Sequence, residues 1–167
     1  YGFTPMAEVK AMTIDKGIRP TYEQLKVTPE IDTPEKFLDF LRAIKAADLK
    51  SMDGQDMIPF SMIWWETWHL GVMYDWGYWR QNRAVEVDWY LGLRGTYDYL
   101  KWLWTAYSEG LIDPDYLVHE HVQLQEKVAT GRVAVGEYVR DRINVFTQLE
   151  ENIPGATRHF IPYPKSS

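Results

Sequence analysis

The chain has 167 residues, 46% of them hydrophobic and 25% charged, a balance that suits one globular domain with a real core and excludes a disordered chain. Its net charge of -6 argues against a nucleic-acid surface, because phosphate recognition needs clustered Lys and Arg. Cysteine is absent, which excludes a disulfide framework and a thiolate metal site, and charges interrupt the long apolar stretches, so no segment reads as a spanning helix or an export signal.

From the amino terminus, residues 1–30 read as irregular, with Pro5, Pro20 and Pro29 limiting helices and Val9 to Ile14 fitting a short strand. Asp32 or Thr33 then caps a helix with Pro34 at its first position, and Asp32 with Glu35 has capping-box spacing. Phe37, Leu38, Leu41 and Ile44 form its core stripe. Ala46 to Asp56 is a polar loop. Its Asp53, Gly54 and Asp56 partly fit a calcium loop, but the remaining oxygen ligands at fixed spacing are missing, so a solvated turn is expected. Ile58 to Met62 reads as a short buried strand and Trp64 to Tyr74 as a helix.

Ala84 to Leu91 alternates, with Val85, Val87, Trp89 and Leu91 on one face, as a half-buried strand does, and Gly92 and Gly95 close it. A long helix follows from an N-cap at Thr96 to Ser108 or Glu109, expected to bury Leu100, Leu103, Trp104 and Tyr107 and to end in a left-handed cap at Gly110, with Leu111 as its apolar contact. Val122 to Thr130 is a shorter helix ended by Gly131, Arg132 to Tyr138 a strand, and Asp141 to Glu151 a helix burying Ile143, Phe146 and Leu149. Pro162 and Pro164 mark an extended tail. Its apolar run, His159 to Tyr163, shows no pairing partner in the sequence, and with an opening Tyr1 that is not Met the chain is expected to be a piece of a longer protein. Helices alternating with short strands favour an α/β lobe.

All eight tryptophans fall between Trp64 and Trp104, more indoles than a core alone calls for. Indole joins a broad apolar face to an N–H, which suits a ligand that is greasy on one side and polar at its rim, as a pyranose is. Trp76, Tyr78 and Trp79 around Gly77 read as an exposed aromatic loop. The competing reading puts most of these rings in the core.

Five segments in order carry a family resemblance: TPEKFLDFLRAIKA from Thr33, DGQDMIPFS from Asp53, YLKWLWTAYSEGLIDPDYL from Tyr99, EKVATGRVAVGEY from Glu126 and NIPGA from Asn152. Together they resemble the family 1 extracellular solute-binding proteins, in particular the lipoprotein-type sugar binders of Gram-positive ABC importers. The resemblance covers residues 31–164, and YGFTP at the start is similar to the segment that precedes a hinge strand in that family. It implies an α/β, periplasmic-binding-protein-like (type II) lobe, helix-rich with short strands. Residues 1–30 would be a hinge-proximal, partly irregular segment, and 31–167 one lobe of a two-lobed protein that closes on its ligand.

The same resemblance implies two ligand-binding stretches. One is Trp64, Trp65, Glu66 and Trp68, after the short strand; the other is Gly136, Glu137 and Tyr138 at the end of VAVGEY, with Arg140 just beyond. Tyr and charged residues stand here where Trp-rich sequence is usual. A Gly at a strand end lets backbone approach a ligand, an aromatic after it offers a stacking face, and a following helix presents N–H donors. The plainer reading makes Gly136 a bulge, Tyr138 a core ring, and Arg140, Asp141 and Arg142 a solvated helix start. The implied function is binding of a sugar or oligosaccharide for uptake by an exported, surface-anchored or periplasmic protein. Its partners would be the second lobe of the same chain and ABC permease subunits, with no nucleic acid, cofactor, metal or catalytic residue.

Two rival classes remain. In a glycoside hydrolase, two carboxylates among Glu66, Asp75, Glu137 and Asp141 would flank the scissile bond, at a separation that sequence does not set. A stand-alone carbohydrate-binding module would use the aromatic cluster as a flat platform. His119-Glu120-His121 lacks the i, i+4 spacing of a helical metal pair and is expected as a surface turn. No Gly-rich phosphate loop and no nucleophile elbow is present.

Overall fold

The computed structural model describes residues 2–5, 8–9, 31–74, 95–137, 143–157 and 161–165. Helix α1, Pro34–Ala46, starts as its sequence dictates: Thr33 is extended and its side chain accepts the Lys36 N–H at 3.3 Å, with Pro34 in the first turn. Thr33 is therefore the cap, and Asp32 instead pairs with Lys36 at 2.7 Å. The stripe Phe37, Leu38, Phe40, Leu41 and Ile44 is buried, facing strand β3, Ile58–Ser61. Phe37 stacks on Trp102 at 5.6 Å and meets Phe60 edge-on at 5.7 Å. Each such buried ring stabilises by roughly 1.5–3 kcal/mol through area alone.

Four strands form the main sheet in the order β3-β4-β1-β6. Strand β4, Val133–Glu137, lies parallel to β3, and β1, Gly2–Pro5, lies antiparallel to β4 and to β6, Ile161–Pro162. All four residues of β3 are buried, the pattern of a strand covered on both faces. Beside β3 a further bridge links Phe60 to Ile112: Phe60 N–H donates to Leu111 O and Asp113 N–H to Phe60 O. A second, two-stranded sheet joins β2, Glu8–Val9, to β5, Ala156–Thr157.

These pairings correct two expectations. Residues 2–5 are a strand inside the sheet and not irregular, and the His159 to Tyr163 run does have a partner, since Ile161 pairs with Phe3. Both partners come from the opposite end of the chain, so local pattern could not reveal them. Of the Val9 to Ile14 segment only Val9 lies within the described residues.

The expected helix from Trp64 to Tyr74 is broken into a 3₁₀ turn, Trp64–Glu66, the short α2, Thr67–Leu70, and a second 3₁₀ turn, Gly71–Tyr74. Gly71, a weak helix former, stands where α2 stops. The strand expected over 84–91 and the aromatic loop at Trp76 to Trp79 lie outside the described residues.

Helix α3, Thr96–Ser108, has its expected length but a different buried face. Thr96, Tyr99, Trp102 and Ala106 point inward and Leu103 is half-buried, whereas Leu100, Trp104 and Tyr107 are exposed. The polar ends of two aromatics select that face. Trp102 Nε1 donates to Pro34 O at 3.0 Å, and the Tyr99 hydroxyl donates to Thr67 O. The N-cap is Gly95 and not Thr96: Gly95 is left-handed at φ 93°, and a Cβ there would lie 2.2 Å from Tyr74 O. At the other end, Gly110 N–H donates to Tyr107 O and Leu111 N–H to Ala106 O, the paired bonds of a Schellman cap, with Leu111 buried as expected. Helix α4, His121–Ala129, ends in the same way at Gly131. In α5, Ile143–Asn152, Val145 and Leu149 are buried, while the side chains of Ile143 and Phe146 lie outside the described part.

Candidate functional site

The carboxyl ends of parallel strands β3 and β4 set Ser61 opposite Gly136. In α/β sheets the loops that leave at this end are where ligands bind. The stretch 64–68 follows Ser61 closely, and Gly136 of the second stretch lies beside Ser61 at this edge. Tyr138 and Arg140 lie outside the described residues, as do the side chains of Trp68 and Glu137.

After Ser61 the chain runs through buried Met62 and Ile63 and then folds back on itself. Glu66 N–H donates to Ile63 O at 2.9 Å, Ile63 N–H donates to Glu66 Oε2 at 2.8 Å, and Thr67 Oγ1 donates to Trp64 O at 2.7 Å. Trp64 is 60% exposed on this turn. Trp65 is half-buried, its ring 5.8 Å from His69 and 5.8 Å from His121. Glu66 is fully buried, and its carboxylate works inside the turn. Of the other three carboxylates considered for hydrolysis, Asp75 and Asp141 lie outside the described residues.

Gly136 is buried and pairs with Ser61 on one side and Thr4 on the other, with no residue skipped in either register. It is a regular ladder position and not a bulge.

Beneath the turn lies a polar cluster that sequence patterning did not reveal. Asp113, with no exposure, accepts from Ser61 Oγ at 2.8 Å, from Lys127 Nζ at 3.0 and 2.8 Å, and from Asp115 N–H at 3.1 Å. Burial pushes the Asp113 carboxyl up, but the Lys127 ammonium and the Ser61 hydroxyl outweigh it and hold it below the ordinary carboxylate value. His119, expected on a surface turn, is 5% exposed and bonds to Met62 O through Nε2 at 2.7 Å. The Asp-Pro-Asp of EGLIDPD and a Lys one helix later are the only local signals for this cluster. Their meeting depends on the Phe60–Ile112 bridge.

The Asp53 loop behaves as a solvated turn. Asp53 accepts from the Ser51 hydroxyl and from Gln55 Nε2, and Lys50 pairs with Asp48 and Asp56. Among the described residues, no three His, Asp or Glu side chains gather as a metal site.

An exposed indole offers a broad apolar face with a polar N–H at its edge, the surface on which a hydroxyl-rich ring stacks. No protein-family model matches the chain, and no curated protein matches it. Solved structures do. BlMnBP2, a manno-oligosaccharide-specific solute-binding protein of Bifidobacterium animalis subsp. lactis in complex with mannotriose, aligns with a TM-score of 0.52 at 16% identity, over 99% of this chain and 37% of its own. A sugar transporter protein of Bacillus licheniformis in complex with stachyose aligns at 0.59 and 15%, over 99% and 40%. The binding protein MsmE of Bacillus subtilis, in an open conformation, aligns at 0.56 and 17%, over 98% and 38%. This chain has the fold of a periplasmic-binding-protein-like lobe. As expected, the lobe is helix-rich α/β with short strands. It spans about two fifths of the length of those proteins.

Proposed function

We propose that the chain is a sugar-binding lobe of an exported ABC-importer receptor, and that it takes an oligosaccharide against the carboxyl edge of β3 and β4. The observation that carries this reading is the Ser61–Gly136 pairing, which brings both candidate stretches to one edge. The neighbours that hold mannotriose and stachyose support it. In this reading residues 31–167 form one lobe, residues 1–30 lie next to the hinge, and a second lobe of the same protein closes over the ligand. Trp64 and Trp65 supply stacking faces, Trp68, Glu137, Tyr138 and Arg140 complete the rim, and Gly136 and Glu66 shape the backbone around them. The receptor performs no chemistry. It is anchored at the cell surface or held in the periplasm, and its closed form docks on permease subunits.

Calorimetric titration with mannotriose and stachyose, on the whole native protein and on the 167-residue chain, tests this. A two-lobed receptor binds at least about tenfold more tightly as the whole protein, because the closed cleft adds contacts from the second lobe. Equal affinity for both would instead favour a stand-alone binding module, and release of new reducing ends a glycoside hydrolase. Binding of neither sugar by the whole protein would reject an oligosaccharide of these two classes as the ligand.

A further inference from the structure

Ser61 and Met62, where β3 passes into the Trp64–Glu66 turn, are each held by a buried polar side chain, Asp113 for the first and His119 for the second. Ser61 donates its hydroxyl to Asp113 Oδ2 at 2.8 Å. Met62 receives, on its backbone carbonyl, the Nε2 of His119 at 2.7 Å. A carbonyl can only accept, so Nε2 carries a proton. The other ring nitrogen, Nδ1, is buried without a hydrogen bond and faces Asp113 Oδ2 at 3.6 Å. Lys127 of α4 reaches both oxygens of Asp113 and also Asp115 Oδ2 at 3.0 Å, so Asp113 is anchored to a helix outside the turn.

The turn needs such an anchor. Its internal bonds, between Ile63 and Glu66 and between Thr67 and Trp64, shape it but do not fix its tilt against the sheet. From outside, the Tyr99 hydroxyl holds its far end at Thr67 O and His119 its near end at Met62 O. A tilt about Met62 would carry the exposed Trp64 indole away from the β3–β4 edge. Binding groups keep their geometry only when the residues behind them are locked.

We propose that His119, through its bond to Met62 O, is the positioning residue of the Trp64–Glu66 turn and sets the stance of Trp64 toward the ligand. The second half of this statement rests on the sugar-binding reading; the first does not. The bland alternative is that His119 merely fills and satisfies the core. The two differ in what a substitution does: a filler destabilises the whole lobe, whereas a positioning residue loosens one turn and is replaced by any side chain that offers a donor at the same place.

The test compares His119→Leu with His119→Gln in the 167-residue chain, the amide of Gln being able to supply the Nε2 donor. Hydrogen exchange at the Ile63 and Glu66 amides is read against α1 amides as an internal standard. In His119→Leu those two amides are expected to exchange about tenfold faster or more while α1 is unchanged, and in His119→Gln to stay within about threefold of the parent. Unchanged exchange in His119→Leu, indistinguishable behaviour of the two variants, or acceleration spread evenly over α1 would each overturn the proposal. Should His119→Leu not fold, His119→Asn, polar but too short to reach Met62 O, is read by the same criteria. Titration of the whole protein, carrying the same substitutions, with mannotriose then links turn to ligand: His119→Leu loses affinity by about tenfold against the parent and His119→Gln keeps it, and equal affinities overturn the link. A whole native protein that binds neither mannotriose nor stachyose sinks the sugar reading, while the exchange data still decide whether His119 holds the turn.

Discussion

Ser61 and Gly136 face each other as register partners at the carboxyl ends of two parallel strands, although the Trp-rich turn and the VAVGEY strand lie far apart in the chain. Ser61 also touches Asp113, so three segments meet at one edge of the sheet. Trp64 follows Ser61 by three residues, so this edge lies next to both candidate stretches.

The two tryptophans of the turn should separate binding from stability. Trp64 is 60% exposed, so Trp64→Ala should leave the urea midpoint nearly unchanged while sugar affinity falls by about tenfold or more. Trp65 packs against the core and two imidazoles, and Trp65→Ala should cost about 2–4 kcal/mol of stability. Equal stability losses in the two variants would contradict this division.

Asp113 should shape the acid limb of the stability curve. Its folded pKa lies below the unfolded value near 3.8, so its contribution is fully present well above that value and is lost as pH falls through the folded one. Asp113→Asn should be less stable than the parent at pH 7, and the difference should shrink below about pH 4. Chemical denaturation at a series of pH values measures this. Parallel curves for the two proteins would show that the carboxylate is not the group responsible.

The orientation of α3 predicts opposite outcomes for two neighbouring indoles. Trp102→Phe removes the donor to Pro34 O and the stacking area on Phe37, and should cost about 2–3 kcal/mol. Trp104 is 69% exposed, and Trp104→Ala should change stability by less than about 0.5 kcal/mol. Thermal or urea unfolding of the pair decides which face is inward.

Two glycines differ in what a methyl group would meet. At Gly110 it would approach only the flexible end of Lys45, so Gly110→Ala should cost about 1–2 kcal/mol for the left-handed backbone. At Gly95 it would strike Tyr74 O, a backbone atom, so Gly95→Ala should destabilise by clearly more. Similar melting temperatures for both would refute the contact.

Short-range chemistry was enough to place α1, α3, α4 and α5, though not to foresee that the Trp64 to Tyr74 segment breaks into short turns. Thr33 and Pro34 start α1, Gly110 and Gly131 stop α3 and α4, and the run from Ile58 marks a buried strand, because caps, left-handed glycines and apolar periodicity act within a few residues. The sequence also carried the resemblance to sugar-binding lobes and named the Trp64 and Gly136 stretches. What it could not contain is any relation set by distant partners. The pairing of Phe3 with Ile161 and the meeting of Ser61 with Asp113, Lys127 and His119 arise only when the sheet closes. The buried face of α3 was likewise decided by Pro34 O and Thr67 O, two acceptors on other elements, which drew Trp102 and Tyr99 inward and left Leu100 and Trp104 in water. Periodicity shows that a helix has an apolar side. Where several sides are apolar, buried hydrogen-bond partners choose among them, and those partners exist only in the folded chain.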